Sequence, residues 1–597
     1  MEKRPTESAW NPGLESEIPS RLLPLVTMFR EDSASVSYPL AAELADLTGL
    51  KVLELAALKP ERLVVHALLV RVTADLSVPD GPTYEVLGIN LRGMVDRIYT
   101  HYMVAEMPAI VSRFDEELAL ARKFVSARLV SWRAGDSSAP ASVEPEPTLL
   151  QKLFGKRQAE TRQPVDSEVD ELRALETWKQ QEKCSDSPLE RSCLAALIKT
   201  VGKVFAHRGR VILDDRMIVD IVVNQVGNTY GSDVINDAIE PFWRKAVEQE
   251  GYRLLPAQEK PVVMNVKGAS ASGKSTIRPR QRELAEKLDI PWEDFALISP
   301  DYWRKYLLDY SSLGDDFKYG AMLTGRELEI IDKKLDRYMA VKAGKGQMSH
   351  LLIDRFRFDS FTVDIDRTSD SKLLSRFGDS IYLFFMVTHP AETVERAWSR
   401  GLKTGRYKAV DDLLYHNVEA FTGMPSLFLS WVNSQDRNVH FEFLDNDVPF
   451  GQLPRTAAFG WNGTMTILDV KLLLNIDQYR SVNVAAQSAH EVFTSKSKPG
   501  SVLPKLEFIE RCAKTVPEIV FADQDTGEVY AAVAHSQLHW CNVQYIEAAA
   551  DRQLIEHVLA SLGDFEAIRH ASSERGSVPT MDIAREQRVT VGHWASH

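Results

Sequence analysis

Cysteine is scarce in this 597-residue chain: there are four, and no two of them have the spacing of a CxxC pair. Such a count argues against a disulfide framework and against a structural zinc site. The sequence also lacks an apolar signal-peptide core near its N-terminus and any uninterrupted apolar run of membrane-spanning length. We therefore expect a cytoplasmic protein with reduced thiols and no membrane partner.

Positive charge is also in deficit, since 71 Lys and Arg residues stand against 84 Asp and Glu residues and leave a net charge of −13. This balance argues against broad affinity for nucleic acid, and no basic tract with interleaved aromatic residues compensates for it. Hydrophobic residues make up 44% and charged residues 26% of the chain, a globular composition. At about 150 residues per domain, the length predicts roughly three or four domains.

Shifts in composition divide the chain into five segments. Residues 1–133 carry apolar residues at helical spacing and predict a helical domain. Residues 134–169, rich in Ser, Pro and acidic residues, predict a flexible linker. Residues 170–258 predict a mainly helical accessory domain, in which RVILDDRMIVDIVVNQVG contains short β-rich runs. Residues 259–448 predict an α/β domain, and residues 449–597 predict an α+β C-terminal domain.

The α/β domain alternates apolar runs with helical patterns. Its runs PVVMNV, FALIS, SHLLID, IYLFFMV and VHFEFLD are continuous, which is typical of strands buried on both faces. Because helical stretches separate these runs, they predict a parallel sheet sandwiched by helices. The fold class expected for the chain is therefore α/β, with mainly helical segments before the sheet and an α+β segment after it.

One motif in the α/β domain is specific. GASASGKS, residues 268–275, fits the Walker A pattern G-x-x-x-x-G-K-[ST] without a mismatch, between a predicted strand and a predicted helix. In such a loop, backbone N–H groups and the start of the helix hold phosphate oxygens. Lys274 can reach the β- and γ-phosphates, and the Ser275 hydroxyl can ligate Mg²⁺. The residues predicted to bind ATP in this loop are Gly268, Ala269, Ser270, Ala271, Ser272, Gly273, Lys274, Ser275 and Thr276.

Charged side chains that suit phosphoryl transfer follow other predicted strands. Asp354 ends SHLLID, at the carboxyl end of a strand where open α/β sheets bind ligands, and can either hold Mg²⁺ or cap the next segment. Asp301 follows FALIS and can activate an acceptor hydroxyl or cap the next helix. Arg396, Arg400 and Arg406 lie after the fourth strand, where a lid would close over the phosphates, and Arg406 is the favoured candidate.

Three classes of P-loop protein compete for this pattern. A GTPase needs a guanine-reading [NT]-K-x-D tetrapeptide, and the sequence after the loop has none. A motor ATPase normally has an Asp-Glu strand end, where this chain has Asp354-Arg355. A small-molecule kinase needs an acceptor-activating carboxylate and arginines at the migrating phosphoryl group, and Asp301 and Arg406 are candidates for both. A nucleotide-gated ATPase or interaction protein, whose flanks bind a partner, is the alternative from another class.

The order of these motifs resembles a known family. The P-loop, SPD after the second strand, LTGRE on a helix, LLID, and ERAWSRGLKTGRY followed by DDLLYHN resemble the zeta-toxin type of P-loop kinases, over about residues 261–447. The resemblance implies an enzyme that uses ATP and Mg²⁺ to phosphorylate a hydroxyl of a nucleotide-sugar or a related small molecule. It implies that Lys274 binds phosphate, that Asp301 is the general base, and that Arg406 acts at the transferring phosphate.

The resemblance adds three residues and two departures. Glu327 of LTGRE resembles a substrate-binding acid, Asn446 of FLDND resembles the strand-end residue near the adenine, and Arg357 keeps a basic residue close to a family position. The family often has two basic residues where this chain has HN at 416–417. The family pattern after the third strand also differs from the sequence DRFR that this chain has at 354–357. We therefore expect an acceptor pocket that differs from that of the family. We also expect flanking segments that can bind an inhibitory or protein partner.

Overall fold

The computed structural model describes residues 7–81, 84–134, 167–355, 374–449, 451–493, 505–572 and 581–595. They form a mixed α/β protein, in which a helical N-terminal half precedes a ten-stranded, partly parallel sheet with helices. The described chain divides into two compact units. We call them the P-loop unit, with residues from 7–18, 69–94 and 251–595, and the helical unit, with residues from 19–68 and 95–250.

The first part of the chain is helical, as predicted. Its α-helices are α1 (Tyr38–Thr48), α2 (Pro60–Asp75), α3 (Tyr84–Ile98), α4 (Met107–Arg133), α5 (Ser167–Cys184), α6 (Pro188–Arg208), α7 (Asp215–Asn228), α8 (Tyr230–Ala238) and α9 (Glu240–Gln249). The borders between the two units fall within α2 and α3. Residues 85–94 of α3 therefore belong to the P-loop unit.

The prediction of short β-rich runs within RVILDDRMIVDIVVNQVG is wrong, because most of this stretch forms α7. The Asp214 side chain accepts a hydrogen bond from the Met217 N–H (2.8 Å) and begins the helix. Ile218, Val222 and Val226 are fully buried, and α7 packs against α4 and α6 within the helical unit. A short apolar run of β-branched residues is compatible with both a buried strand and a buried helix. Here, tertiary packing selects the helix.

All strands of the described residues belong to the P-loop unit. They are β1 (Val262–Gly268), β2 (Phe295–Ile298), β3 (His350–Asp354), β4 (Ser380–Val387), β5 (Asn438–Asp445), β6 (Arg455–Trp461), β7 (Thr464–Ile467), β8 (Glu518–Ala522), β9 (Val529–Ala534) and β10 (Gln537–Cys541). The α-helices after β1 are α10 (Arg278–Lys287), α11 (Arg304–Leu307), α12 (Gly320–Leu323), α13 (Gly325–Gly344), α14 (Pro390–Thr404), α15 (Val410–Trp431), α16 (Val470–Tyr479), α17 (Glu507–Thr515), α18 (Val543–Ala548), α19 (Arg552–Ser561), α20 (Phe565–Ser572) and α21 (Ile583–Glu586).

The first five strands are the five predicted apolar runs, and they pair in parallel in the order β2-β3-β1-β4-β5. Most of their residues are buried, which explains why the runs are continuous. The register places Asp354 beside Val266 and Met386 beside Gly268. The carboxyl ends of β1, β3 and β4 therefore meet at one edge of the sheet, and the P-loop leaves from that edge.

The C-terminal strands extend this sheet from β5. β6 is antiparallel to β5 and β7 to β6, β8 is parallel to β7, and β9 and β10 follow antiparallel. The predicted strands in TMTILDV, EIVFAD and EVYAAVA are β7, β8 and β9, whereas β6 and β10 were not predicted. The sheet expected to be parallel is therefore parallel over its first five strands and mixed as a whole.

An aromatic core joins the parallel strands to the C-terminal part of the P-loop unit. Phe385 stacks on Phe443 with ring centroids 4.7 Å apart, and Phe428 of α15 meets Phe441 edge to face at 4.6 Å. Phe508 of α17 lies 5.6 Å from Phe443. Residues on both sides of position 449 therefore share one buried cluster. Among the described residues, no helix is long and apolar enough to cross a membrane.

Candidate active site

The loop between β1 and the short helical turn Lys274–Ile277 is tightly wound. Ala271 and Gly273 have left-handed backbone angles, with φ of +61° and +88°. A Cβ on Gly273 would lie 2.2 Å from Asn446 Nδ2, so only glycine fits both the angle and the space. The buried Ser272 Oγ has no hydrogen-bond partner among the described residues. The loop thus has the winding that phosphate binding requires and a spare polar group within it.

Two residues at the ends of neighbouring strands brace this loop. The Ser272 carbonyl accepts hydrogen bonds from Thr388 Oγ1 (2.9 Å), after β4, and from Asn446 Nδ2 (2.7 Å), after β5. Arg396 in turn donates to the Asn446 carbonyl (2.7 Å). Asn446 therefore contacts the P-loop directly, and its predicted place near an adenine stays a prediction. Thr388 and Arg396 act as its partners in fixing the loop.

Lys274 is half-buried and points back into the loop. Its Nζ donates to the carbonyls of Gly268 (3.2 Å) and Ala269 (3.0 Å). Burial lowers the pKa of Lys274, the charges of Asp354 and Asp301 oppose this effect, and Arg400 and Arg406 add to it. The charges of Asp301, Asp354 and Arg406 are thus close enough to influence the Lys274 ammonium group.

Asp301 lies in the turn Pro300–Trp303 that follows β2, and two arginines hold its carboxylate. Oδ1 accepts from Arg304 Nε (2.9 Å), and Oδ2 pairs with the Arg406 guanidinium. The Asp301 side chain remains 40% exposed. Partial burial would raise the pKa of Asp301, but the charges of Arg406 and Arg304 outweigh it and hold the pKa far below its usual range. The predicted base is therefore ionised and already joined to the predicted catalytic arginine.

Arg304 is a site residue that sequence reasoning missed. Its NH1 group donates to the Ala321 carbonyl (2.6 Å) and to Thr324 Oγ1 (3.1 Å), while its Nε holds Asp301. It thereby ties the carboxylate to the start of α13. The available signal was its position three residues after Asp301 in a helical turn, where opposite charges meet.

The predicted magnesium ligands lie at the ends of β1 and β3. Asp354 is half-buried beside the β1 strand, and Ser275 is half-buried in the turn that follows the loop. Within the described residues, no group of three or more His, Cys, Asp or Glu side chains could cage a metal. Mg²⁺ in nucleotide sites typically takes one or two protein ligands and completes its shell with phosphate oxygens and water. Ser275 and Asp354 fit that pattern.

The residues after Asp354 have mainly structural contacts where the structure describes them. Arg355 is buried and forms ion pairs with Asp332 and Asp336 of α13, each at 2.7 Å. The buried Lys267 of β1 donates to the Arg355 carbonyl (3.0 Å). These contacts attach the end of β3 to α13, whose first turn carries the fully buried Glu327. Arg357 lies outside the described residues, and both substrate-binding assignments stay predictions.

A lysine–histidine pair lies on the other side of the loop. Ser270 Oγ is 2.8 Å from His416 Nδ1, and Lys408 Nζ is 2.8 and 2.9 Å from the two ring nitrogens of His416. Burial lowers the pKa of Lys408 to about 8, against the opposing charge of Asp412. Burial, reinforced by Lys408, holds the pKa of His416 well below its usual range. A neutral imidazole therefore supports the loop, and Lys408, two residues after Arg406, adds a cation that the sequence reasoning did not single out.

No protein-family model, curated protein or solved structure matches this chain. The chemistry of the site consequently rests on its own geometry. The wound loop and Lys274 can hold a polyphosphate, Asp301 can accept a proton, and Arg304, Arg406 and Lys408 can offset negative charge.

Proposed function

We propose that this chain is an ATP-dependent phosphotransferase that moves the γ-phosphoryl group of ATP to a hydroxyl of a small molecule. The observation that carries the proposal is the Asp301–Arg406 pair, whose charges reach Lys274 of the Walker A loop. The strand order β2-β3-β1-β4-β5, with the loop at the carboxyl end of the central strand, supports a P-loop kinase fold. The motif order supports zeta-toxin-like chemistry within that fold.

Each residue has a defined task in this proposal. Residues 268–276 would hold ATP, and Ser275 with Asp354 would hold Mg²⁺. The loop and the cation would together neutralise part of the negative charge on the γ-phosphoryl group. Lys274 would exchange its contacts with Gly268 and Ala269 for phosphate oxygens. Arg406 would then offset the charge that spreads over the migrating group.

Asp301 would act after one arginine has turned to the nucleotide. An anionic phosphate competes with Asp301 for Arg406, and loss of that pair would raise the pKa of Asp301 toward its usual range. The freed carboxylate would accept the proton of the acceptor hydroxyl. The acceptor oxygen then bonds to the γ-phosphorus, the bond from that phosphorus to the bridging oxygen breaks, and ADP leaves.

The proposal is tested by following the label from γ-labelled ATP in the presence of the full-length protein and a small-molecule extract. We expect label on a small molecule, and no transfer by the Lys274→Ala protein. The matched control is Lys287→Ala, which removes an exposed lysine from α10 and should keep transfer unchanged. Label that moves only to inorganic phosphate would contradict the proposal and favour the nucleotide-gated ATPase, and label on protein would make the acceptor a protein.

A further inference from the structure

A cavity of about 140 Å³ adjoins Asp301 within the P-loop unit. Its wall comes from α3, from the segment after β2 and from the segment after α14. α3 contributes Gly88 and Arg92, and the segment after β2 contributes Lys305 and Tyr310 beside Asp301. Since Asp301 is the base in the proposed reaction, this cavity lies where an acceptor molecule would enter.

Residues 69–94, which include the part of α3 that lines the cavity, contact the rest of the P-loop unit at several points. Thr73 Oγ1 accepts from the Trp303 indole (3.2 Å), and Arg282 pairs with Asp80 (2.6 Å). A Cβ on Gly88 would lie 3.0 Å from the Tyr302 ring, which shows how closely the helix approaches the turn that carries Asp301. Residues 69–94 are therefore built into the same unit as the P-loop, although about 170 residues separate them from it in sequence.

The lining of the cavity carries more cationic than anionic side chains. Four cationic residues and two carboxylates line it, and one of those carboxylates, Asp301, is already shared by Arg304 and Arg406. Neither Arg92 nor Lys305 forms an ion pair with a described residue; Arg92 donates only to the Tyr302 carbonyl (3.2 Å). Burial lowers the pKa of Arg92, and it lowers the pKa of Lys305 with help from the charges of Arg92 and Arg406, against the charge of Glu85. A half-buried Arg92 beside an exposed Lys305, neither of them in an ion pair with a described residue, favours an anionic ligand.

A buried donor also lines the same cavity. Tyr310 is only 8% exposed, and its hydroxyl has no hydrogen-bond partner of good geometry among the described residues, although Thr324 is close. A buried hydroxyl without a well-formed hydrogen bond is costly, and a ligand oxygen would supply one. The cavity is large enough to admit one anionic group.

We infer that Arg92, Lys305 and the Tyr310 hydroxyl bind a phosphate or carboxylate group of the acceptor, so that the acceptor is an anion whose hydroxyl faces Asp301. This assignment rests on the proposed phosphotransferase function. It makes the part of α3 around Arg92, which lies far outside the P-loop region in sequence, part of the acceptor site. Arg92 is then a residue that determines selectivity for the acceptor's charge, and the P-loop region alone lacks it.

The first experiment tests the charge of the acceptor. A small-molecule extract is separated on an anion exchanger before reaction, and the retained and unretained pools are each incubated with γ-labelled ATP and the full-length protein. We expect acceptors only in the retained pool. If acceptor activity lies in the unretained pool, the subsite is wrong while the phosphotransferase function stands. Phosphatase treatment of the retained pool before reaction then separates the two sources, since it removes phosphate-bearing acceptors and leaves carboxylates.

Variants assign the effect to the cavity. Arg92→Gln and the exposed Lys305→Gln should each raise the KM for the retained pool by about tenfold or more, with the KM for ATP unchanged, and Arg92→Lys should restore part of the loss. Arg326→Gln is the matched control, because Arg326 is an exposed arginine of α13 paired with Glu329 outside the cavity. Unchanged KM values in both cavity variants would overturn the assignment.

A binding measurement separates the subsite from catalysis. Inorganic phosphate is titrated calorimetrically into the full-length protein saturated with a non-hydrolysable ATP analogue. We expect binding that Lys305→Gln, whose side chain is exposed and does not endanger folding, weakens by about tenfold. Equal binding by both proteins, or no binding by the unmodified protein, would contradict the subsite. Phosphate binding without any transfer of label would instead show that the subsite stands and the proposed function fails.

Discussion

The arginine partners of Asp301 set the proton affinity of its carboxylate. Its carboxylate is paired with Arg304 and Arg406, so its proton affinity is too low for efficient base catalysis in the arrangement described here. Arg304 is anchored to Ala321 and Thr324, whereas Arg406 lies in the segment after α14. We therefore expect Arg406 to be the partner that turns to the nucleotide, and Arg304 to keep Asp301 in position.

The Asp301→Asn substitution should reduce phosphoryl transfer by roughly a hundredfold or more, because an amide cannot accept the hydroxyl proton. ATP binding should be retained, since the described partners of the Asp301 carboxylate are Arg304 and Arg406. Steady-state transfer and calorimetric titration with a non-hydrolysable ATP analogue measure the two effects. Asp309→Asn is the control, because Asp309 is an exposed cap that asparagine can replace. Transfer at the rate of the unmodified protein would remove Asp301 from the mechanism.

Glu442 is a second residue whose surroundings set its chemistry. It is fully buried in β5 and accepts hydrogen bonds from Thr456 Oγ1 (2.6 Å) and from the N–H groups of Val591 (2.8 Å) and Gly592 (2.9 Å). Burial raises the pKa of Glu442 to about 7, and these three donors offset only part of that effect. The residue therefore links β5, β6 and the C-terminal segment through a carboxyl group that titrates near neutrality.

This shift predicts stability that depends on pH. A carboxyl with a raised pKa stabilises the fold fully below its unfolded pKa of about 4.3, and the contribution is lost as the pH rises through the folded value. The free energy of unfolding should fall by up to about 3 kcal/mol between pH 5 and 8, roughly the size expected from such a shift. Urea unfolding followed by tryptophan fluorescence measures it. Glu442→Gln should flatten the dependence, whereas Glu518→Gln, an exposed residue of β8, should not. An equal slope in the Glu442→Gln protein would contradict the prediction.

At the scale of elements, the P-loop depends on neighbouring strand ends as much as on its own sequence. Its Ser272 carbonyl is held from the ends of β4 and β5, and Asn446 occupies the space beside Gly273. The loop geometry is therefore coupled to the spacing of β1, β4 and β5 in the sheet. A change in either partner should disturb phosphate binding.

Gly273→Ala should weaken binding of an ATP analogue by at least about tenfold, because the added methyl group meets the Asn446 amide and the backbone angle disfavours alanine. Gly209→Ala is a matched control: Gly209 ends α6 with φ of +73° and has open space around it. Its substitution should cost about 1 kcal/mol of stability and leave affinity unchanged. Calorimetric titration and thermal unfolding give the two quantities. Equal affinity of both variants would show that the Gly273–Asn446 contact is not needed.

The elements that sequence reasoning found and missed differ in their physical character. The five central strands were found because burial on both faces makes them continuous apolar runs. α7 was misread, since an apolar run of β-branched residues does not reveal whether a helix or a sheet will bury it. β6 reads RTAAFGW and β10 reads QLHWC, with small or polar residues that carry no strong strand pattern; pairing with β5 and β9 makes them strands.

At the scale of the whole molecule, the P-loop unit combines three separate stretches of the described chain, residues 7–18, 69–94 and 251–595. Residues 69–94 line the cavity at Asp301, the central region supplies the loop and the parallel strands, and the C-terminal part covers the edge of β5. The aromatic cluster around Phe428, Phe443 and Phe508 crosses from the central region to the C-terminal part. The unit should therefore fold as a whole.

A chain that ends at residue 448 should be insoluble or lack a cooperative thermal transition. It would leave the edge of β5 unpaired and expose Phe428 and Phe443 where α17 packs. Size-exclusion chromatography and near-ultraviolet circular dichroism measure this outcome. In the full chain, Phe508→Ala should cost about 3–5 kcal/mol and still unfold cooperatively. A soluble, cooperatively folding chain of 448 residues would contradict the shared core.

The sequence by itself determined the P-loop, the five central strands and the acidic and basic residues that follow them, because each depends on local pattern: residue type, spacing and apolar periodicity. Tertiary structure alone decided which distant residues meet. It paired Asp301 with Arg406, set Asn446 against the loop, extended the sheet through β6 to β10, and brought Arg92 to the cavity beside Asp301. Contacts between residues tens to hundreds of positions apart are fixed by packing and strand order, which no local pattern encodes.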